Sequence, residues 1–143
     1  MDGIDAVISW VDGYEPDYQM KLRNFCFEQG LKQKEVIEPT RFQQKNEIYY
    51  CLNSLKNFAP WVRTIYIITN NQTPSALTYF KGTPFGQKIK IIDQNDFLKA
   101  YDQSTPIFNS ISVEWLIWLI PELSAQFLYL NDDFFIGRVV MRF

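Results

Sequence analysis

The feature that most constrains the fold is a set of short apolar runs that end in polar turn residues. The clearest run is 64–69, whose β-branched side chains favour a strand. Similar strands are predicted over 4–11, 88–92 and 125–130. Because helical stretches separate these runs, we expect one α/β domain over 1–143 with a mainly parallel sheet flanked by helices.

Apolar residues recur at helical spacing between the predicted strands. Helices are predicted over 16–34, 46–58 and 109–120. Asn109 or Ser110 is the expected cap of the third helix, because both residue types accept hydrogen bonds from free backbone N–H groups.

Charge and hydropathy exclude several kinds of partner. The net charge is −2 and no basic block occurs, so nucleic acid is not an expected partner. The longest apolar run, 113–121, is shorter than the roughly 20 residues of a membrane span. No basic secretory start is visible, which predicts a cytoplasmic location, with a peripheral position at the inner membrane as an alternative. The oligomeric state stays open.

The chain contains no histidine. That excludes a Ser-His-Asp triad or a histidine metal site within these residues. A bound metal ion would have carboxylate and other oxygen ligands, which favours Mg²⁺ or Mn²⁺. Cys26 and Cys51 lack metal-site spacing and are predicted to be buried thiols.

Polar residues follow three of the predicted strands, at 12–13, 70–71 and 131–133. In an open parallel sheet these positions share the carboxyl edge, where ligands bind. The strongest chemical signal is Asp132-Asp133, since two adjacent carboxylates are suited to hold a cation that neutralises a diphosphate. The alternative is a solvated turn.

Three further residues carry weaker signals. Asp12-Gly13 suits close approach of the backbone to a ligand, or is a plain strand-to-helix turn. Glu114, expected in the first turn of the third helix, either complements the helix dipole or faces the cleft as a base or orienting group. Arg41 is a phosphate contact or a surface cation. The four tryptophans are expected in the core: Trp10, Trp61, Trp115 and Trp118.

Together these segments resemble the Stealth family, which includes bacterial capsule polymerases that transfer hexose-1-phosphate. Residues 1–15 look like the family's first conserved region, and 41–137 look like its second. The motifs that carry the resemblance are Trp10-Val11-Asp12-Gly13, Arg41-Phe42, 46–55, 58–69, Phe108-Asn109-Ser110 with Glu114, and 128–135.

The resemblance implies a Rossmann-like or nucleotide-sugar-transferase-like fold and an enzyme of capsular or exopolysaccharide synthesis. It implies a nucleotide-sugar donor such as a UDP-linked hexose or N-acetylhexosamine, a glycan hydroxyl as acceptor, and Mg²⁺ or Mn²⁺. Carried over by position, the metal ligands are Asp132 and Asp133, which with Glu114 are the catalytic candidates. The expected substrate-binding residues are Trp10, Val11, Asp12, Gly13, Arg41, Asn109 and Asn131.

The chain also departs from the family pattern. The family usually has an acidic residue where Lys45 stands and often has Asp where Asn70 stands. It often has a histidine near Gln94, within 93–96. The family's third and fourth conserved regions, with their histidine, are not found within the 143 residues. The chain is therefore expected to be a fragment or a truncated gene product. The alternative functions are a metal-dependent glycosyltransferase and a non-catalytic donor-binding domain.

Overall fold

The computed structural model describes residues 3–32, 45–100, 107–108 and 110–141. Its strands are β1 (Asp5–Ser9), β2 (Ile65–Thr69), β3 (Ile89–Asp93) and β4 (Phe127–Asn131). Its α-helices are α1 (Pro16–Glu28), α2 (Glu47–Phe58), α3 (Gln94–Ala100) and α4 (Ser110–Glu114). Short 3₁₀ helices occupy Ser75–Tyr79, Gly86–Lys88 and Ile117–Leu119.

The strands form one sheet in the order β3-β2-β1-β4, and every neighbouring pair is parallel. The predicted parallel α/β sheet is thus confirmed. From β1 the chain adds β2 and β3 on one side, then crosses to place β4 on the other side of β1. The direction of winding therefore reverses between β1 and β4, and a crevice is expected there at the carboxyl ends of the strands.

Alternate residues of the strands bury against helices on opposite faces of the sheet. Ala6 and Ile8 belong to one core cluster with Leu52 of α2. Val7 belongs to a second cluster with Phe97 of α3 and Val113 of α4. Because both faces are covered, the strands are nearly continuous runs of apolar residues, as is usual for parallel sheets.

The third predicted helix, over 109–120, is wrong as a continuous element. α4 ends at Glu114, and hydrogen bonds three residues apart follow, from Leu116 N–H to Val113 O at 2.9 Å and from Ile120 N–H to Ile117 O at 3.0 Å. The apolar spacing that suggested one helix still buries Val113, Ile117 and Ile120 on one side. Glu114 lies at the end of α4 rather than in its first turn, so the helix-dipole explanation does not apply.

The helix α3 was not predicted. It begins directly after β3, and the Asp93 carboxylate accepts a hydrogen bond from the backbone N–H of Asn95 at 3.0 Å. Such a contact caps the start of a helix. The polar run from Asp93 to Asp96 conceals this helix, since its apolar face consists of Phe97 and Leu98 alone.

A buried carboxylate joins the amino ends of three strands. Asp5 of β1 is fully buried and accepts hydrogen bonds from Arg63 Nη2 at 2.6 Å and Arg63 Nε at 2.9 Å. It also accepts from the backbone N–H groups of Thr64 at 3.1 Å and Ser124 at 2.8 Å. Burial opposes ionisation of Asp5, but the hydrogen bonds from Arg63 and Ser124 outweigh it and hold its pKa below the usual range.

Within the described ranges, no helix is both long enough and apolar enough to cross a membrane.

The substitution Asp5→Asn is expected to lower the free energy of unfolding by about 2–3 kcal/mol, because charged hydrogen bonds are lost and a buried N–H group faces other donors. Urea unfolding measures the loss. The control is Asp96→Asn, the same chemical change in an exposed ion pair with Lys99. An equal effect of the two substitutions would contradict the structural role of Asp5.

The difference in stability between the wild-type chain and Asp5→Asn should depend on pH. Because the folded-state pKa of Asp5 lies below the unfolded value of about 3.9, its contribution is complete above pH about 4 and is lost as the pH falls through the folded-state pKa. The stability gap between the wild-type chain and Asp5→Asn should therefore narrow in acid. A gap that stays constant down to pH 2 would contradict this.

Candidate active site

The carboxyl ends of β2, β1 and β4 bring the three predicted polar segments to one edge of the sheet. Ser9, the last residue of β1, pairs in register with Ile68 of β2 and Asn131 of β4. The segment 12–13 follows the central strand of these three, and 70–71 and 131–133 follow its neighbours. The expectation that all three segments share an edge is confirmed.

The segment after β1 is held by a side chain from the segment after β2. The backbone N–H of Asp12 donates to Gln72 Oε1 at 3.0 Å, and Gln72 Nε2 donates back to Asp12 O at 2.9 Å. Gln72 Nε2 also donates to the carboxylate of Glu15. The Asp12 carboxylate accepts from the backbone N–H of Tyr14 at 2.9 Å, which forms an Asx turn.

The residues beside Asp12 are largely enclosed. Trp10 packs in the core cluster of α2, as predicted, and Val11 packs against Tyr18 and Leu22 of α1. Gly13 is buried, and its carbonyl accepts a hydrogen bond from the side-chain amide of Gln19. Of the four residues expected to line a nucleotide, Trp10 therefore contributes its ring to the core.

Asp132 and Asp133 are the central residues of a turn, which Phe134 N–H closes by donating to Asn131 O at 3.0 Å. Asp132 is half-buried and Asp133 is exposed. The turn rests on α2, since the Cys51 thiol donates to Asn131 O (Sγ···O 3.9 Å). The acidic pair therefore lies in a turn, and this turn is anchored to α2; the predicted cation site stays a prediction.

The chain after this turn is also tied to α2. The backbone N–H of Ile136 donates to Ser54 Oγ at 3.0 Å, and the Phe135 ring meets the Tyr50 ring edge-on with centroids 6.3 Å apart. Phe134 and Phe135 remain more than half exposed. The segment that carries Asp132 and Asp133 is therefore anchored to α2 both before and after the two residues.

Tyr129 gathers several predicted site residues around one hydroxyl. This hydroxyl lies 2.9 Å from Ser9 Oγ and donates to Asn131 Oδ1 at 3.4 Å. Burial raises the pKa of Tyr129, the Ser9 hydrogen bond opposes this, and the carboxylates of Glu114 and Asp132 raise it further. Glu114 and Asp132 thus both act on the Tyr129 hydroxyl, although Glu114 itself is exposed.

A cation that the sequence reasoning missed lies at the same edge. Lys21 of α1 is half-buried, and its Nζ donates to Oδ1 of the buried Asn70 at 3.3 Å. The described part of the chain gives this ammonium no carboxylate partner. Neither Lys21 nor Gln72 belongs to a recognisable motif, and each is placed by contacts between distant segments.

The implied metal ion would need oxygen ligands at this edge. Among residues 3–32, 45–100, 107–108 and 110–141, no group of three or more His, Cys, Asp or Glu is close enough to hold a metal. The donors of the acidic turn are all oxygens, as Mg²⁺ prefers, and Mg²⁺ commonly takes one or two carboxylates with substrate phosphates and waters. The turn therefore fits an ion shared with a phosphate ligand, with Asp132 and Asp133 as its protein ligands.

Several predicted residues have other outcomes. Arg41 and Asn109 lie outside the described residues. Trp115 and Trp118 are 75% and 68% exposed, so their predicted place in the core is wrong. They lie between the buried positions Val113, Ile117 and Ile120, and hence on the outer side of the chain.

The remaining sequence expectations concern buried polar groups and thiols. Gln94 is buried and donates to the carbonyl of Ile107 at 2.6 Å, so this residue is structural here. Cys26 and Cys51 are free and buried, as predicted.

Comparison with known proteins adds the family. The sequence model of Stealth protein CR2, conserved region 2, matches residues 41–142. The chain belongs to the Stealth family. It is 37% identical over 139 residues to a capsular polysaccharide phosphotransferase of Neisseria meningitidis. The alignment covers 97% of this chain and 36% of that protein.

Other Stealth relatives give the same picture. A capsular polysaccharide phosphotransferase of Actinobacillus pleuropneumoniae is 39% identical over 139 residues, covering 94% of this chain and 36% of the relative. An exopolysaccharide phosphotransferase of Streptomyces coelicolor is 41% identical over 139 residues, covering 96% of this chain and 14% of the relative. The chain thus spans about a third or less of the length of these relatives.

The thiol beneath the acidic turn should be inert in the folded chain. Burial raises the pKa of Cys51 to about 12, and the carboxylates of Asp132 and Asp133 add to the shift. Because the thiolate is the reactive form, a Cys26→Ala variant should react with a thiol reagent at pH 8 only after unfolding in urea. Rapid reaction of the folded variant would mean that the turn does not cover Cys51.

Proposed function

We propose that this Stealth chain provides the donor-binding edge of a sugar-1-phosphate transferase in capsular or exopolysaccharide synthesis. The donor is a nucleotide sugar and the acceptor is a hydroxyl group of a glycan. The observation that carries the proposal is the position of Asn131 and the acidic turn at the carboxyl end of β4, beside Ser9 of β1. Relatives that match nearly the whole chain are named polysaccharide phosphotransferases, which supports this reaction class.

The proposed reaction breaks a phosphoanhydride linkage of the donor and forms a phosphate ester linkage to the acceptor. The acceptor hydroxyl oxygen attacks the phosphorus that bears the sugar, and the bond from this phosphorus to the oxygen bridging the two phosphates breaks. The nucleoside monophosphate leaves with the electron pair, and the hydroxyl proton passes to a base or to water. The product is a sugar–phosphate–sugar diester. Catalysis of this kind depends mainly on positioning and on neutralising charge around the phosphorus.

The acidic turn is the proposed place for Mg²⁺ or Mn²⁺, with Asp132 and Asp133 as ligands. When bound, the ion would neutralise negative charge on the diphosphate. Asn131 adds an amide oxygen beside the turn, and this oxygen already accepts from the Tyr129 hydroxyl at 3.4 Å. Glu114 also acts on the Tyr129 hydroxyl. It is therefore the group proposed to orient the hydroxyl of the acceptor or to take its proton.

The other side of the crevice is the proposed nucleotide side. The segment from Trp10 to Gly13 follows β1, and its loop is closed by contacts to Gln72 and Gln19. Lys21 adds a positive charge that faces only a neutral amide among its described contacts. A phosphate group of the donor would give this ammonium an ionic partner.

Donor binding is tested by thermal unfolding with UDP-N-acetylglucosamine in the presence and absence of Mg²⁺. A ligand bound only by the folded state raises the unfolding midpoint, and at 100 times its Kd it adds about 2.7 kcal/mol. We expect a metal-dependent rise that Asp132→Asn/Asp133→Asn loses and Asp96→Asn retains. No rise with this or any other nucleotide sugar would count against donor binding by the chain, and so against both the transferase and the non-catalytic donor-binding domain.

The nucleotide released in the presence of a glycan acceptor distinguishes the two transferase reactions. Sugar-1-phosphate transfer releases a nucleoside monophosphate, whereas transfer of the sugar alone releases a nucleoside diphosphate. Release of the diphosphate together with a plain glycosidic product would replace the proposal with a metal-dependent glycosyltransferase.

Lys21→Met is expected to weaken binding of UDP by about tenfold in low salt, because one charged contact to a phosphate is lost. Isothermal titration calorimetry gives the two affinities. The difference should shrink as salt rises, since added ions screen the contact. The control is Lys56→Met on the exposed side of α2, which should bind UDP as the wild-type chain does. Equal affinities for the wild-type chain and Lys21→Met would remove Lys21 from the site.

A further inference from the structure

The Gln72 side chain makes an arrangement that the proposed reaction does not by itself explain. Its amide forms two hydrogen bonds with the backbone of a single residue, Asp12, one as acceptor and one as donor. A third hydrogen bond runs from Nε2 to the Glu15 carboxylate. The side-chain amide thereby pairs with the Asp12 backbone as the backbone of a neighbouring strand would.

The conformation of the turn after β2 fixes the position of the Gln72 side chain. Asn71 has a φ of 55°, a left-handed conformation that Asn tolerates better than most residues, and its N–H donates to Asp93 Oδ1 at 3.1 Å. The backbone N–H of Gln72 then donates to Thr69 Oγ1 at 3.3 Å. Gln72 is only 7% exposed, so its amide is fixed at both the backbone and the side-chain ends.

We infer that Gln72 is a positioning residue for the donor, acting through the segment Trp10–Glu15 rather than by touching the ligand. The inference rests on the proposed function. Gln72 occupies both backbone groups of Asp12 and one carboxylate oxygen of Glu15. The Asp12 carboxylate, fixed in turn by Tyr14 N–H, is thereby held at the carboxyl edge of the sheet, beside the segment that follows β2.

The chemistry of the contact requires an amide. The Oε1 atom must accept from Asp12 N–H while Nε2 donates to Asp12 O and to Glu15, and a carboxylate cannot donate either bond. In Gln72→Glu the new carboxylate would also stand against Glu15, and two adjacent like charges repel. The substitution changes almost no volume, so its effect reports on hydrogen bonding and charge rather than on packing.

The first measurement is hydrogen exchange at the Asp12 amide, followed by NMR in the 143-residue chain without ligand. We expect Gln72→Glu to speed this exchange at least tenfold while amides of the core strands β1 and β2 keep their protection. The matched control is Gln87→Glu, the same change at an exposed position, which should leave the Asp12 amide unaltered. An Asp12 amide that exchanges as in the wild-type chain overturns the inference, whether or not the chain binds a nucleotide.

The second measurement is the affinity for UDP at a temperature where all variants are folded. We expect Gln72→Glu to weaken binding more than tenfold, and Gln72→Glu/Glu15→Gln to recover part of the loss because the added repulsion is removed. Faster exchange with unchanged affinity would overturn the link between this loop and the donor. A wild-type chain that binds no nucleotide would instead overturn the proposed function, and the exchange result would still decide whether Gln72 fixes the loop.

Discussion

The buried carboxylate of Asp5 is the contact on which the arrangement of the sheet most depends. Asp5 belongs to the strand β1. It accepts hydrogen bonds from Arg63 and Thr64, which precede β2, and from Ser124, which precedes β4. A charge without solvent must have partners, so the chain can satisfy Asp5 only when all three strands begin at the same level. The register that sets Ser9 beside Asn131 at the far end follows from this alignment.

The Asp5 contact and the proposed site consequently lie at opposite ends of the same strands. At the amino edge, Arg63 and Ser124 give Asp5 a full set of donors. At the carboxyl edge, Lys21 faces a neutral amide and the carboxylate of Asp133 is exposed. These two groups are the ones proposed above to bind a donor phosphate and a metal ion.

The sequence predicted the part of this arrangement that depends on local pattern. The β-branched run 64–69 and the turn residues after it identify a strand without knowledge of its neighbours. The parallel topology then places Asp12 and Asn131 at one edge. The local pattern failed at Glu114, where an unbroken apolar spacing concealed a change from α-helical to 3₁₀ hydrogen bonding.

The residues that the sequence did not reveal act over long separations. Gln72 meets Asp12 across 60 positions, and Lys21 meets Asn70 across 49. Tyr129 meets Ser9 across 120 positions, and such pairs have no spacing signature in a single sequence. In the sequence Asp5 is one residue of an apolar strand, because its partners Arg63 and Ser124 come close only when the strands assemble.

The exposed tryptophans give the chain a built-in optical signal. Trp115 and Trp118 lie in the solvent-facing segment directly after Glu114, whereas Trp10 is enclosed in the core on the α2 face. An indole in water emits at longer wavelength than one in an apolar interior. Emission of the four tryptophans should therefore range from the exposed pair beside Glu114, through the half-buried Trp61, to the enclosed Trp10.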